Sequence, residues 1–440
     1  MPVARPLARF RSGLERSPAL RVGITAVAAV AVAEAAVWVL SPRGDVLQPV
    51  DVNPADVFGP AQLDRAESFR EGQRWLALGG LAVEGAVLGA LALWRPPALR
   101  RLLDAANRRP VLGGAAVGAG VSLTLAAAGL PLGAWAHARA ADIGLSTQDL
   151  GEWLADQGRY AAVGVVFAAA GGAVAMVMIR RLGRRWWAAG AAVAVSFAVF
   201  TTWLAPVVIA PLFNDFRKLP PGDTRSDVLR LGERAGVDVG EVYEVDASRR
   251  STGLNAYVNG LGQTKRVVLY DNLLRREGRG VVNSVVAHEL GHVEANDVSR
   301  GIAFVAIVAP LGALLVQVGS GALARRAGDD PRSPAVIPAV ALSLAVATLL
   351  LGVAGLQLSR RVEARADTFA LELTGDPAAF VELQEQLTET NVSDPDPPGW
   401  YRLLSGSHPS AVERIGAARA YAAERGSRDR VSPPSPREGS

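Results

Sequence analysis

Seven long apolar stretches constrain this chain more than any other feature. Each is long enough to cross a bilayer, because about 20 apolar helical residues span its hydrocarbon core. They cover residues 21–40, 75–94, 110–136, 160–179, 186–213, 301–324 and 334–358. Only 20% of the 440 residues are charged, against about 25% in an average protein. The pattern predicts a polytopic α-helical membrane protein with about seven spans, placed in the cell membrane, and it excludes a purely soluble enzyme.

One polar region lies between the fifth and sixth spans, and a second follows the seventh span. Together with the spans they predict the segments of the chain. Helical and strand periodicities alternate in the first polar region, which indicates a small α+β domain with an amphipathic helix, a strand and a hairpin around Gly260-Leu261-Gly262. The predicted segments are an N-terminal segment (1–20), five spans (21–213), a catalytic domain (214–300), two spans (301–358), a C-terminal catalytic segment (359–424) and a disordered tail (425–440).

Charge and cysteine content exclude several functions. The chain has 46 basic and 42 acidic residues and no basic block, so we expect no nucleic-acid partner. It has no cysteine, which excludes disulfides, thiolate zinc sites and cysteine nucleophiles. Histidine chemistry must come from the four histidines of the chain, His137, His288, His292 and His408.

The segment His288-Glu289-Leu290-Gly291-His292 carries the clearest chemistry. Residues 280–297 have a helical pattern, and helix positions four apart share a face, so the two histidines can bind one zinc ion. Glu289 can then act as general base on a zinc-bound water. The alternative is a pair of helix-surface histidines that binds no metal.

A third ligand is available in the polar helix predicted after the seventh span. Glu363 and Asp367 are four residues apart, so Glu363 can complete a His₂Glu site while Asp367 accepts the free ring N–H of a ligand histidine. Two spans separate His292 from Glu363, which returns the chain to the same side of the membrane. The alternative is that both acids pair with neighbouring arginines on a solvated face, from Arg360, Arg361 and Arg365.

His408 is the remaining histidine outside the spans, and it precedes a helical pattern that contains Arg414. An imidazole there can donate a hydrogen bond to the oxyanion of a tetrahedral intermediate. A helix-capping or surface histidine explains the same position equally well.

Together these motifs resemble the integral-membrane zinc peptidases typified by the type I CAAX prenyl proteases. The resemblance covers roughly residues 20–424. It rests on His288–His292 with Asn296-Asp297, on Ser359-Arg360-Arg361 before Glu363 and Asp367, on Ser407-His408-Pro409 with Arg414-Ile415, on Asn255-Ala256-Tyr257, and on residues 264–271. Residues 144–148 also resemble a loop of this branch that HtpX-type relatives lack.

The resemblance implies a fold, a cofactor and a set of roles. One zinc ion per chain would be bound by His288, His292 and Glu363, with Glu289 as base. Asp367 would contact a zinc ligand and not the zinc ion itself. His408 and Arg414 would contact the substrate or the transition state. Asn255 and Ala256 would lie on an edge strand that pairs with an extended substrate. β-Strand addition would fix the register of such a substrate.

The implied fold is a helical barrel around a water-filled intramembrane chamber. Glu34, Glu84 and His137 lie in or near the spans, and such a chamber would give them a polar environment. The alternative is a polar contact between helices with no role in substrate handling.

The sequence therefore predicts a membrane-embedded zinc endopeptidase. Its partners would be the lipid bilayer and a peptide or protein substrate, membrane-tethered and of the prenylated CAAX type. One alternative is a quality-control protease of the HtpX type. Another is a non-catalytic membrane scaffold that keeps zinc for structure, although such a scaffold needs neither Glu289 nor His408.

Overall fold

The long helices follow the apolar stretches in the computed structural model, which describes residues 17–44, 46–260 and 265–431. Proline stands in the first turn of each of the first four helices, where its missing N–H costs no hydrogen bond. The fifth helix begins with a reciprocal capping box between Asp149 and Glu152. These five helices are α1 (Pro18–Leu40), α2 (Pro60–Leu93), α3 (Pro97–Ala106), α4 (Pro110–Asp142) and α5 (Leu150–Leu182).

The predicted fourth and fifth spans form a helical hairpin. Helix α6 (Trp186–Trp203) follows α5 after a turn at Gly183–Arg185, and the ring of Phe167 contacts the rings of Phe197 and Phe200 across the hairpin. By length and hydropathy, the described residues contain six candidate spans, because 150–208 counts as one stretch. The helical membrane fold is confirmed, whereas the predicted count of seven spans is not.

The fifth span ends as a regular helix well before residue 213, where the sequence predicts its end. Helix α6 stops at Trp203, and only the short helix α7 (Ala205–Val208) and a 3-10 turn (Ala210–Leu212) follow. Pro206 and Pro211 lie in this region. Proline lacks the N–H that continues a helix and clashes with the preceding turn, which explains the early end.

A small sheet begins after these turns. Its elements in chain order are β1 (Phe216–Lys218), helix α8 (Asp223–Arg234), β2 (Glu241–Val245), β3 (Ala256–Asn259) and β4 (Arg266–Tyr270). Within the described residues, the strand order is β1-β2-β4-β3, with β2 parallel to β4 and the other pairs antiparallel. Strand β3 is therefore an edge strand. Residues 261–264, which include part of the predicted hairpin turn, lie outside the described residues.

Two helices after the sheet cover one of its faces: α9 (Asp271–Arg276) and α10 (Arg279–Glu294). The core between sheet and helices includes Val242, Val267 and Leu269 on strands and Val286 and Leu290 on α10. Burial of Val286 and Leu290 fixes one face of α10 against the sheet. This packing sets the direction of the histidines on the same helix.

Two long helices follow, α11 (Asp297–Ala327) and α12 (Ile337–Thr374). The metal-motif helix does not run directly into the sixth span, because Asn296 has a left-handed conformation with φ 57°, which asparagine tolerates better than most residues. The predicted separate helix after residue 358 is also absent. Helix α12 continues without a break for 38 residues to Thr374, so it carries Glu363 directly from the membrane.

Three helices complete the described chain, namely α13 (Pro377–Thr390), α14 (Gly399–Ser405) and α15 (Ala411–Val431). Helix α15 extends past residue 424, where the sequence predicts the start of a disordered tail. Its early part is anchored by packing, since Ile415 and Ala418 are fully buried. Residues 432–440 of the predicted tail lie outside the described residues, as do residues 1–16.

Candidate active site

Three predicted ligand atoms converge between α10 and α12. The Nε2 atoms of His288 and His292 are 3.2 Å apart. The Oε2 atom of Glu363 lies 3.1 Å from Nε2 of His288 and 3.6 Å from Nε2 of His292. These two histidines and the glutamate form the group in the described residues with metal-ligand geometry.

The arrangement fits a tetrahedral zinc ion. Zinc binds histidine nitrogen and carboxylate oxygen at about 2.0–2.2 Å, so two ligand atoms of a tetrahedral site stand roughly 3.3 Å apart. The observed separations of 3.1, 3.2 and 3.6 Å agree with this value. A His₂Glu donor set is also the ligand set of catalytic zinc sites that keep a fourth position open.

Both histidines are oriented from behind by carboxylates. Nδ1 of His288 lies 2.8 Å from Asp367, and Nδ1 of His292 lies 3.1 Å from Asp297. Such partners fix the ring tautomer and leave Nε2 free to bind metal. Sequence reasoning anticipated the position of Asp367 but gave Asp297 no role. Asp297 directly follows the left-handed residue Asn296, and this bend turns its side chain back towards His292.

Arg414 on α15 lies behind the histidines rather than beside an open face. Its guanidinium makes two contacts with the carboxylate of Asp367, at 2.9 Å from Nε and 2.5 Å from Nη2. The side chain is only 11% exposed. The substrate contact suggested by the resemblance stays a prediction, and the contact visible in the structure is with Asp367.

The three arginines near Glu363 have partners other than the two acids of the site. Arg360 donates to the backbone oxygens of Arg402 and Gly406, Arg361 to the hydroxyl of Ser41, and Arg365 to Gly291 and Glu294. These arginines therefore do not form ion pairs with the two acids on a solvated face. Glu363 and Asp367 instead point towards α10.

The titratable groups on α10 have shifted pKa values. Burial raises the pKa of Glu289, more than the nearby histidines lower it, which suits a group that must accept a proton. Burial lowers the pKa of His292, but hydrogen bonds to Asp297 and Glu363 outweigh it and raise the value to about 10. A cation at Nε2 is therefore strongly favoured, whether this cation is a proton or a metal ion.

His408 closes the other side of the ligand group. Its Nε2 lies 3.2 Å from Oε2 of Glu363, the same oxygen that the two metal-motif histidines approach. Its side chain is half-exposed, unlike that of His288, and its Nδ1 lies 2.8 Å from the hydroxyl of Ser407. Partial burial and the neighbouring Arg414 and His288 lower the pKa of His408. It thus faces the ligands as a neutral imidazole with one N–H.

The edge strand β3 faces the proposed base. The carbonyl of Asn255 accepts from the N–H of Tyr270 on the neighbouring strand. Because backbone direction alternates along a strand, the N–H and C=O groups of Ala256 and Val258 point to the free edge. The backbone of Val258 lies near enough to the Glu289 carboxyl to lower its pKa, and the Asn255 side chain accepts from the N–H of Ala256. The free edge therefore runs beside Glu289.

Side chains from outside the His288–His292 motif bind residues 251–254, the segment directly before β3. Asn391, directly after α13, accepts from the N–H of Leu254 at 2.9 Å and donates to its carbonyl at 3.4 Å. Asn272 donates to the carbonyls of Ser251 and Gly253. Neither asparagine is predictable from the sequence, because nothing in its local sequence indicates a partner 19 or more residues away.

Two further connections tie this segment to the membrane helices. Arg70 on α2 donates to the carbonyls of Asn391 and Val392. The loop between α4 and α5 forms an isolated bridge between Ser146 and Ser251. Val392 also has a positive φ of 46°, a strained conformation for a β-branched residue that the surrounding contacts must maintain.

The polar residues expected at a chamber lie apart from the site. Glu34 accepts a hydrogen bond from Gln357 at 3.0 Å, a contact between α1 and α12. His137 stacks on Trp153 with ring centroids 5.2 Å apart. Glu84 is exposed on α2. The first two contacts match the alternative of polar packing between helices.

Comparisons with known families match most of the chain. Residues 220–422 match the model of peptidase family M48. Residues 78–215 match the model described as CAAX prenyl protease N-terminal, five membrane helices. The two matches meet near residue 217, at the start of the sheet.

Individual proteins are also similar to this chain. An uncharacterized metalloprotease YhfN of Bacillus subtilis is 27% identical over 84% of this chain and 88% of its own length. A CAAX prenyl protease 1 homolog of Oryza sativa is 34% identical over 51% of this chain, which spans about half of that homolog (53%). The crystal structure of Ste24p from S. mikatae has a TM-score of 0.72 at 18% identity and covers 91% of this chain and 99% of its own chain, which shows the same fold.

Proposed function

We propose that this chain is a membrane metallopeptidase of family M48 and of the CAAX prenyl protease type, and that it acts as a zinc-dependent endopeptidase on membrane-tethered peptides. The observation that carries the proposal is the convergence of His288, His292 and Glu363 at zinc-ligand distances. The prediction that its partners include no nucleic acid stands with this proposal.

We propose that the substrate is an extended peptide attached to or threaded from the cell membrane, with a prenylated CAAX protein as the first candidate. Two observations support this. Glu363 lies on a helix that leaves the membrane without a break, so the reaction centre is close to the membrane surface. Relatives named CAAX prenyl protease 1, or homologs of it, are 34–36% identical to parts of this chain.

Zinc held by His288, His292 and Glu363 would polarise the scissile carbonyl and lower the pKa of a bound water to near 7. Glu289 takes the proton of the attacking water and passes it to the leaving amine. Its raised pKa suits both transfers, and its carboxyl group lies beside the backbone of Val258 on the edge strand. Asn255 and Ala256 belong to the edge on which the substrate backbone would pair.

The remaining residues orient groups and stabilise charge. His408 donates its N–H to the oxygen that becomes negative in the transition state. Asp367 holds the tautomer of His288, and Arg414 holds Asp367 in place through its two contacts. Asp297 does the same for His292.

The two alternative functions have less support. A scaffold with structural zinc does not need a half-buried glutamate beside an open strand edge, and this chain has both. A quality-control protease of the HtpX type would share the chemistry. The match to the N-terminal model with five membrane helices favours the CAAX branch.

A cleavage assay tests the proposal. We would compare wild type and Glu289→Gln in detergent, with and without a zinc chelator, on farnesylated and unmodified versions of one quenched-fluorescent peptide. We expect cleavage that is lost on chelation and falls about 100-fold or more in the variant, with metal content unchanged. Cleavage that survives both treatments would overturn the mechanism, and equal rates on both peptides would overturn the prenylated substrate.

A further inference from the structure

Arg360 connects the ligand helix to the loop that carries His408. It lies three residues before Glu363 on α12. Its Nη1 atom donates to the carbonyl of Arg402 at 2.9 Å and to the carbonyl of Gly406 at 2.6 Å. Gly406 stands two residues before His408, so a single side chain joins the helix of one site residue to the segment of another.

The two carbonyls lie at the end of α14, which has little stability of its own. A helix of seven residues is too short to be stable alone in water, and its large apolar side chains Trp400, Leu403 and Leu404 are 44%, 48% and 45% exposed. The carbonyl of Arg402 already accepts from the N–H of Gly406, and the partial negative charge at a helix C-terminus favours a further, cationic donor there. Arg360 supplies this donor to both carbonyls and is therefore one of the contacts that fix this end.

The other end of the loop is fixed separately. Ser410 and Glu413 form a reciprocal capping box at the start of α15, with the Ser410 N–H 2.7 Å from the Glu413 carboxylate. His408 thus lies on a short bridge between two anchors, one at Gly406 and one at Ser410. Its Nε2 reaches Glu363 at 3.2 Å only if both anchors hold.

We propose that Arg360 is a positioning residue that holds His408 at the open side of the metal centre. The inference rests on the proposed function, because it gives His408 its role in the transition state. Arg360 and Glu363 are on adjacent turns of one rigid helix, so the tie fixes the imidazole relative to a metal ligand. Arg360 does not itself touch metal or substrate.

Arg361 provides a matched control on the same helix. Its guanidinium donates to the hydroxyl of Ser41 at 2.7 Å, beyond the end of α1, and has no described contact with the His408 loop. Loss of Arg361 removes the same charge and a similar volume at the neighbouring position. Any general effect of losing an arginine here should appear in both variants.

The test is a double-mutant cycle on the full-length chain. We would measure kcat, KM and metal content for wild type, Arg360→Ala, Arg360→Lys, Arg361→Ala, His408→Ala and the double variant of Arg360→Ala and His408→Ala. We expect Arg360→Ala to lower kcat about 10-fold or more with KM within twofold and metal retained. Arg361→Ala should stay within twofold, and Arg360→Lys should recover part of kcat.

In the His408→Ala background, Arg360→Ala should lower kcat by less than a further twofold, because Arg360 acts on catalysis through the imidazole of His408. An equal loss in both backgrounds, or loss of metal, would overturn the proposal. If wild type cleaves no peptide, the proposed function fails, and hydrogen exchange of residues 402–408 still tests the tie. Exchange there should be faster in Arg360→Ala than in Arg361→Ala, and equal exchange would overturn it.

Discussion

The metal centre and the neighbouring edge strand are built in different ways. The ligands come from two helices, His288 and His292 one turn apart on α10 and Glu363 on α12. The segment directly before β3 is held by side chains that are far away in sequence. Asn391, for example, accepts a hydrogen bond from the N–H of Leu254. The metal centre is specified by the spacing of residues on helices. The edge strand is specified by hydrogen bonds to its backbone from residues distant in sequence.

This difference matches two proposed roles. In the proposed mechanism the metal centre would perform the bond-making chemistry, and its parts are stiff because they lie on packed helices. The edge strand would receive the substrate, and its position depends on the turn after α13 and on the loop between α4 and α5. Variants of the first region should therefore change metal binding and kcat, whereas variants of the second should change KM.

The largest effect is expected for Glu363→Ala. The change removes one of three protein ligands, and the two histidines alone do not complete a zinc site. We expect activity to fall more than about 100-fold, beyond the roughly 10- to 100-fold typical of an outer partner, with metal lost from the purified protein. Metal analysis checks this, and full metal content would show that Glu363 is not a ligand.

The next largest effect is expected for Asp297→Ala. The side chain fixes Nδ1 of His292 at 3.1 Å, and loss of such a partner lowers metal affinity or activity roughly 10- to 100-fold. Competition with a chelator measures the affinity. Asp223→Ala, at a largely exposed acid, is the control and should leave the affinity unchanged.

Asn391→Leu should sharpen the comparison, because it removes both hydrogen bonds to Leu254. Each net hydrogen bond contributes about 1 kcal/mol, so the two together correspond to about 2 kcal/mol, and we expect KM to rise about 30-fold. Metal content and kcat should hardly change. If metal is lost as well, the two regions are not separable.

The smallest effect is expected for Asp271→Asn, at the end of β4. Hydrogen bonds from Ser248 and the charge of Arg275 outweigh burial and keep the pKa of Asp271 below its usual value. A group with a lowered pKa in the folded state stabilises the protein above its unfolded value of about 3.9, and this stabilisation is lost as pH falls through the folded pKa.

We therefore expect Asp271→Asn to lower the free energy of unfolding by about 2 kcal/mol at pH 7, since hydrogen bonds to charged groups contribute about that much. The difference from wild type should shrink as the pH falls below about 4. Thermal melts in detergent at several pH values measure it. A difference independent of pH would mean that the carboxylate charge is not what holds Ser248.

The sequence predicts those parts of the fold that depend on residues close together along the chain. Apolar runs of span length predicted the membrane helices, and the spacing of His288 and His292 predicted one face of α10. The roles of Asp297 and Asn391 were not predictable in this way. The first depends on the left-handed bend at Asn296, and the second on packing between segments more than a hundred residues apart. The end of the fifth span near Trp203 and the helix break after residue 358 were wrongly predicted, since hydropathy does not report where helical hydrogen bonding stops.

The unbroken helix α12 has a consequence for how the enzyme responds to its lipids. Its 38 residues extend about 57 Å at 1.5 Å per residue, well beyond a hydrocarbon core of about 30 Å. A spanning helix adjusts to bilayer thickness by changing its tilt, and α12 passes any such change straight to Glu363. The histidines are separated from their own span by the bend at Asn296. Thinner or thicker membranes would thus act on the contact between α12 and α10, which makes this contact the point where hydrophobic mismatch reaches the site.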